Sequence, residues 1–416
     1  MKKVKILVLL LATLLYGCGT KDASSSYHVA IDNPYSNVNW KKATQIRSTT
    51  HIHIMDQAGL ERAAQFGYRH LPISNYYPSA PYYPINSIRQ GQFRVKQEWG
   101  VMKIVEGESH YVEGPIYWNE MIMNPETGWF DSLPKEQQDA LPFEEGDFIF
   151  TDIPASLIFS PNAEHHAFAD THGNVHVNGL GSFYSSGTFD ARNRFRTFWG
   201  GGDYSYGTGL PWKDAFQNII DQLQYEDGGG VTINHPGWSG KEALPQSLIE
   251  EMLDFDERVL GIEVLEAGLW STEIWDEILK TGRRCLGFSV PDWQVQTNEP
   301  DAGGFNLLLV DEYTDHNCLK SYREGAFFGS QFGSEELIFT NISLEKNHLL
   351  VQINREANIS IISDQGVSKV DGTDRVKFKI PRGSDNLPTI KYVRVEAETD
   401  SERIFSQPIR FIQPSN

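Results

Sequence analysis

The chain has 416 residues, 12% of them aromatic, and its acidic residues outnumber the basic ones 55 to 36 for a net charge of −19. That length accommodates one large domain and a smaller one. The acidic balance argues against a nucleic-acid groove, where lysine and arginine would gather against phosphates, but not against a small phosphorylated substrate beside metal ions, which reverse the local potential.

The first segment reads as a leader. Residues 1–5 are basic, and residues 6–15 form an apolar run too short to cross a bilayer. It ends in Leu15-Tyr16-Gly17-Cys18, which resembles the lipobox of bacterial lipoproteins. In that reading residues 1–17 are a signal peptide and Cys18 is the acylated first residue of an envelope protein, periplasmic or on the outer-membrane surface. Its only membrane contact is then the N-terminal lipid. Cys285 and Cys318 remain, enough for one disulfide but not for a disulfide framework.

Residues 18–43 read as a polar tether and an irregular lead-in. Residues 44–54 are the first strand, and 59–66 a short helix with Leu60, Ala63, Ala64 and Phe66 on its apolar side. Gly67 stops that helix, and residues 70–74 form a second apolar run. A strand, a helix and a strand in so short a span predict a parallel sheet. Residues 77–150, rich in tyrosine, tryptophan, proline and glycine, interrupt the rhythm and read as an insertion near the mouth of a site.

The alternation then returns. Strands are expected at 155–160, 174–180, 231–233, 259–265, 284–290 and 306–310, with helices at 212–223, 244–255, 272–280 and 318–324. Over residues 44–332 this is the pattern of a barrel-like α/β domain. From 333 to 416 the helical periodicity vanishes, and short strands between Gly, Asp, Asn and Pro turns read as a small antiparallel β-sandwich. Its one histidine is His348, so no chemistry is assigned there.

Histidines and carboxylates recur at the strand ends. His51 and His53, two residues apart, share one face of a strand, and neutral imidazole is the commonest protein metal ligand. His235 follows a strand and precedes Pro236, which fixes the turn that presents it. Asp292 follows another strand beside Pro291, Glu164 lies after 155–160, and His176 opens 174–180. In barrel-like α/β domains such positions converge on one face. Of the rest, His165, His166 and His172 read as a solvated loop and His70 as a satisfied core histidine. Glu263 and Glu266 flank a strand, with Glu263 a support for ligands rather than a ligand. Neither Gly228–Gly230 nor Gly200–Gly202 opens a helix, so neither is a phosphate cradle.

The order His51-x-His53, Pro161-Asn162-Ala163-Glu164 with His176, Asn234-His235-Pro236 and Pro291-Asp292 resembles the PHP superfamily, named for polymerase and histidinol-phosphatase domains. The lead-in Asn33-Pro34 to Trp40, the Ile262-Glu263-Val264 strand, Tyr392-Val393-Arg394-Val395-Glu396 and Gln407-Pro408-Ile409 resemble its carbaryl-hydrolase-like branch. The resemblance runs over residues 30–412 apart from the insertion. It implies an α/β fold, a distorted (β/α)7 TIM-like barrel followed by the sandwich. It further implies divalent ions (Mn, Zn or Fe) and hydrolysis of phosphoesters in a small-molecule substrate.

The implied ligands are His51, His53, Glu164, His176, His235 and Asp292, with Asp56 as a further one. The family's Thr-Asp-His triplet is Ser74-Asn75-Tyr76 here, and Gln294 stands where a histidine normally follows the last aspartate. Asn75 can still offer a carbonyl oxygen, whereas Tyr76 and Gln294 are poor replacements for imidazole. One or two ions are therefore expected rather than three. Asp292 is expected to orient the attacking water or take its proton, and Tyr76 to donate a hydrogen bond to the substrate. The alternatives are ester, amide or carbamate hydrolysis at the same site, and a depleted barrel that binds a ligand without turnover.

Overall fold

The computed structural model describes residues 29–54, 57–74, 153–166, 168, 170–171, 175–182, 184, 211–238, 243–293, 295, 303–331 and 337–412, with four backbone strand pieces between 94 and 117. The leader with Cys18, Asp56, Asn75, Tyr76, His172, Gln294, Gly200–Gly202 and most of the 77–150 insertion lie outside the described residues.

The chain begins with β1 (Ala30–Asp32) and β2 (Thr44–Ser48). α1 (Gln57–Gln65) buries Leu60 and Ala63, and β3 (His70–Leu71) returns parallel to β2. Four strands follow as backbone only: β4 (Arg94–Val95), β5 (Val101–Val105), β6 (Glu108–Val112) and β7 (Ile116–Tyr117). β8 (Ile158–Phe159) continues the parallel set beside β3. Next come β9 (Glu164–His165), β10 (Val177–Leu180), α2 (Trp212–Asp221) and β11 (Gly230–Ile233).

α3 (Gln246–Leu253), β12 (Val259–Glu266), β13 (Leu269–Trp270), α4 (Thr272–Lys280) and β14 (Leu286–Val290) continue the alternation. β15 (Gly304–Val310), α5 (Asp315–Glu324) and β16 (Phe327–Gln331) close it. The remainder is strand: β17 (Phe339–Glu345), β18 (His348–Ser363), β19 (Gly366–Lys379), β20 (Tyr392–Glu398), β21 (Arg403–Ser406) and β22 (Ile409–Ile412).

The helices form where apolar residues recur at helical spacing. α2 buries Trp212, Ala215, Phe216, Ile219 and Ile220, and α4 buries Trp275, Ile278 and Leu279. α5 starts where the Thr314 hydroxyl accepts the Asn317 N–H and stops at Gly325, whose φ of 79° suits a glycine cap. All eight residues of β12 are buried, as expected of a strand covered on both faces. Gly261 on that strand admits no side chain, because a Cβ there would lie 1.9 Å from the Leu286 carbonyl oxygen of β14.

The fold is mixed α/β, but its sheets depart from the uniformly parallel expectation. β11, β12 and β14 are parallel, while β10 runs antiparallel to both β9 and β11. The link from His165 to Val177 is too short for a crossover helix. β15 is likewise antiparallel to β2 and β16. No sheet of the described residues closes on itself. Instead the two large sheets meet through isolated backbone bonds. Ile52 and Asp292 form a parallel bridge, in which His53 N donates to Asp292 O and Asp292 N to His51 O, both at 3.3 Å. On the other side Glu164 N donates to Ser74 O at 3.0 Å.

The first strand is shorter than expected. β2 ends at Ser48, so His51 and His53 lie on the stretch beyond it, aligned by the Ile52 bridge rather than by a continuous strand. The lead-in is partly ordered into the sheet, since β1 pairs with β22. The boundary expected at residue 333 is crossed by hydrogen bonds as well: β16 pairs with β21, and Gln407 bonds both the N–H and the C=O of Gly287 on β14, each at 2.8 Å. Packing crosses it too, with Phe405 edge-on to the buried Trp275 ring at 5.6 Å. Tyr392 of β20 and Phe405 of β21 share a core with Trp275 of α4, while Val393, Val395, Ala397 and Ile404 of the same strands pack in the core with β17 and β18.

Cys285 and Cys318 are free, buried thiols, and burial pushes each up to about 12. Among the described residues no helix is long and apolar enough to cross a membrane.

Candidate metal centre

The backbone bonds between the two sheets draw six of the expected side chains together. His51 and His53 come from the stretch after β2, Glu164 from β9, His176 from the residue before β10, His235 from the end of β11 and Asp292 from the end of β14. They fall into two groups whose ligand atoms lie within 4.8 Å of one another: His51, His53 and Asp292, and Glu164, His176 and His235. His235 and Asp292 have positive φ values of 30° and 48°, a conformation that costs energy and persists at functional sites where the surroundings impose it. Pro236 and Pro291 stand beside them.

In the first group the Nε2 atoms of His51 and His53 are 3.1 Å apart. Glu164 Oε2 lies 3.3 and 3.1 Å from them, and Asp292 Oδ1 3.1 and 3.2 Å. Four ligands around an ion with bonds of ~2.0–2.1 Å would have neighbours about 3.3 Å apart. The hole therefore has the spacing of a site for a small divalent ion. The chemistry of the donors is compatible, because two imidazole nitrogens this close need either a hydrogen or a metal ion between them.

In the second group Glu164 turns its other oxygen to His176 Nδ1 at 2.7 Å and His235 Nε2 at 3.6 Å. Glu164 thus reaches both groups, one oxygen to each. Asn234 Nδ2 donates to the same Oε1 at 3.1 Å.

The ligands are held in orientation by groups the sequence made less conspicuous. Glu263 is fully buried; its Oε1 accepts from His51 Nδ1 at 2.8 Å and its Oε2 from the backbone N–H of His235 at 2.6 Å. His235 Nδ1 donates to the Trp238 carbonyl at 3.0 Å. Both contacts place a proton on Nδ1 and leave Nε2 to face an ion, the arrangement that fixes tautomer and ring orientation in metal sites. Asn162 donates to Thr50 O at 2.9 Å and Pro72 O at 3.0 Å, tying the loops after β2 and β3 together. The Ser74 hydroxyl bonds both the N–H and the C=O of Ile52. Asn162, Ser74 and Asn234 adjoin the sequence motifs, but neither spacing nor residue type marked them as braces.

His165 and His166 are buried rather than solvated, a correction to the loop reading. His165 stacks on Tyr184 at 5.3 Å, and His166 lies 5.3 Å from the His176 ring. Burial holds both imidazoles down to about 3, so they stay neutral. His70 is a core histidine between the Ser48 and Ser160 hydroxyls, at 2.8 and 2.7 Å. Trp293 stacks on His53 at 4.5 Å, and Trp238, 52% exposed, stands beside His235.

Electrostatics favour a positive charge at His51, His53 and His235, whereas burial lowers the pKa of His176. Burial opposes the charged form of His51, yet the Asp292, Glu164 and Glu263 carboxylates outweigh it and raise its pKa well above the imidazole range. Burial likewise opposes charge on His235, but its bond to Glu164 and the nearby Glu263 raise it to about 9. Burial alone would raise Glu164 and Asp292; the histidines reverse this and hold both below the carboxylate range.

Protons and metal ions must therefore compete for this centre, and binding releases protons. Metal affinity should rise steadily between pH 6.5 and 9, as read by competition with a chromogenic chelator. In the metal-free protein the stabilisation from a histidine whose pKa is raised on folding is complete below its unfolded value near 6.5. It is lost as pH climbs to about 9 for His235. The melting temperature of chelated protein should fall over that interval. Glu263→Gln should weaken metal affinity by about 10–100-fold, measured in the same titration, because amide N–H groups cannot accept from both His51 and His235.

No protein-family model matches the chain, and no curated protein matches it by sequence. Among solved structures, the chain aligns with a two-domain protein from Bacteroides vulgatus described as containing a predicted PHP-like metal-dependent phosphoesterase. The identity is 12%, the coverage 87% of this chain and 91% of that one, and the TM-score 0.38.

Proposed function

We propose that this protein is a divalent-metal-dependent hydrolase of phosphoesters, built on a distorted barrel of the PHP kind. The observation that carries the reading is the carboxylate of Glu164 set between two groups of ligands, one oxygen to each. Ions held there, by His51, His53, Asp292 and Glu164 on one side and Glu164, His176 and His235 on the other, would bring the pKa of water to about 7 and polarise the substrate oxygen.

The protein's part is to orient and exclude. Glu263 and the Trp238 carbonyl hold two imidazoles in the tautomer that faces inward, and Glu266, on the strand between His235 and Asp292, lines the rim. Asp292, its charge secured by His51 and His53, is placed to accept a hydrogen bond from the attacking water. Tyr76 is proposed to donate to the substrate; unchanged turnover in Tyr76→Phe would remove it from the mechanism. Cys18 is proposed as the lipid anchor of an envelope protein, and a fatty-acid label retained by Cys18→Ser would refute that.

The deciding experiment is elemental analysis of the purified protein, then turnover of aryl phosphomonoesters, phosphodiesters and carboxyl esters after loading with manganese, zinc or iron. Two ions per chain with phosphoester cleavage are expected. Carboxyl-ester or carbamate cleavage alone would reassign the substrate, and a protein that takes up no metal would be a ligand-binding barrel instead.

A further inference from the structure

β12 runs between the strands that carry His235 and Asp292, and it bears a second carboxyl besides Glu263. In the parallel pairing with β14, Glu263 sits opposite Phe288, Leu265 opposite Ser289 and Glu266 opposite Val290. The register slips at Val264, so one extra residue is accommodated on β12. Without that bulge Glu263 and Glu266 would point to opposite faces, since side chains alternate along a strand. With it they share a face, as bulges commonly re-aim a side chain beside an active site.

That face is the one where Glu263 touches His51 and His235. Glu266 therefore stands on the metal side, nearer the rim. Immediately after it, Ala267 and Gly268 have φ values of 48° and 84° and reverse the chain into β13. A two-residue turn with both φ positive is a tight hairpin connection, here with alanine where asparagine or glycine is usual. The turn pins Glu266 at the end of its strand.

Glu266 is only 6% exposed. Unlike Glu263, its carboxyl has no hydrogen-bond or ion-pair partner among the described residues. Its oxygens are not among the sealed, unpartnered atoms of the described residues, as Glu164 Oε2 and Asp292 Oδ1 are, so the carboxyl opens onto the cleft from a side chain that is otherwise buried. Burial, and after it the charges of Asp292 and Glu263, raise its pKa to about 8, against the opposing His235 and His51.

We propose that Glu266 is a catalytic residue that hands a proton to the departing oxygen. The inference rests on the hydrolase reading. As the water oxygen bonds to phosphorus, the bond from phosphorus to the leaving oxygen breaks, and that oxygen takes the Glu266 proton. The proton shed by the attacking water restores the carboxyl, so the sum is ester plus water giving alcohol plus phosphate.

The test compares phenyl phosphate, whose phenolate leaves poorly unless protonated, with p-nitrophenyl phosphate, whose leaving group needs little help. In the fully loaded protein, Glu266→Gln should keep its metal content and circular dichroism. It should lose about 100-fold or more in kcat on phenyl phosphate and only a few-fold on p-nitrophenyl phosphate. The alkaline fall of the wild-type pH profile on phenyl phosphate should disappear with it, and Glu266→Asp should recover part of the loss. Equal losses on both substrates, no loss on either, or loss of metal would overturn the proposal while leaving the hydrolase reading intact. If wild-type protein turned over neither these substrates nor the matching aryl phosphodiesters, both would fall together.

Discussion

Glu164→Gln should remove at least one of the two ions and about three orders of magnitude of turnover, the equivalent of the several kcal/mol that metal-ion charge stabilisation supplies. The argument is geometric. Oε2 lies 3.1 Å from His53 Nε2 and Oε1 2.7 Å from His176 Nδ1, so one side chain addresses both groups. Glutamine keeps the shape but turns N–H groups toward one of them, where they repel a cation. His176→Ala is the control, since it touches the second group alone and should leave one ion bound. Elemental analysis of the two variants separates them. Glu164→Gln with both ions and full turnover would show that Glu164 supports the centre without spanning it.

The largest effect on stability should come from outside the centre. Arg394 on β20 is 2% exposed, and its guanidinium forks onto Asp276 of α4 with two bonds of 2.7 Å. Its remaining nitrogen reaches Glu396, which also accepts from Arg403, and its plane lies over the Trp275 ring at 4.7 Å. Arg394→Met leaves the Asp276 carboxylate without its cation and Glu396 with Arg403 alone, in a largely closed space. Breaking a buried pair from one side costs about 3–5 kcal/mol, which should appear as a large drop in the denaturant midpoint. Replacing Asp276 and Glu396 by apolar residues in the same chain should recover much of that loss, because the charge then left without its carboxylate is that of Arg403, which is a quarter exposed and can be solvated. A drop under ~1 kcal/mol for the single change would mean that water reaches the network freely.

Much of the centre could be read before any coordinates. The histidines and carboxylates sit where strands end, and chain order alone suggested that they converge. What the sequence concealed depends on register. The bulge at Val264 is a single extra residue with no signature of its own, yet it decides that Glu266 shares a face with Glu263. The braces at Ser74, Asn162 and Asn234 are small polar residues that look like loop composition until their bonds are seen. His165 and His166 looked solvated because a short polar run says nothing about what covers it. The helices were legible because their apolar spacing is local, down to α4 at residues 272–280. The boundary at 333 was drawn from the disappearance of that spacing. Hydrogen bonds between strands far apart in sequence leave no local trace, and it is these that join β16 to β21 and β1 to β22.

Those long-range pairings also set a timetable. Asp32 and Arg410, bonded across the β1–β22 edge, are separated by 378 residues, and Gln407 bonds both backbone groups of Gly287 across 120. Synthesis releases His51 and His53 long before Gln407, whose side chain steadies β14 and with it Asp292. Contacts of such separation form slowly, because the intervening chain must be ordered before they reward it. The spacing of the imidazoles and carboxylates therefore belongs to the folded molecule, and the frame that sets it is complete only when the β1–β22 and Gln407 contacts have formed.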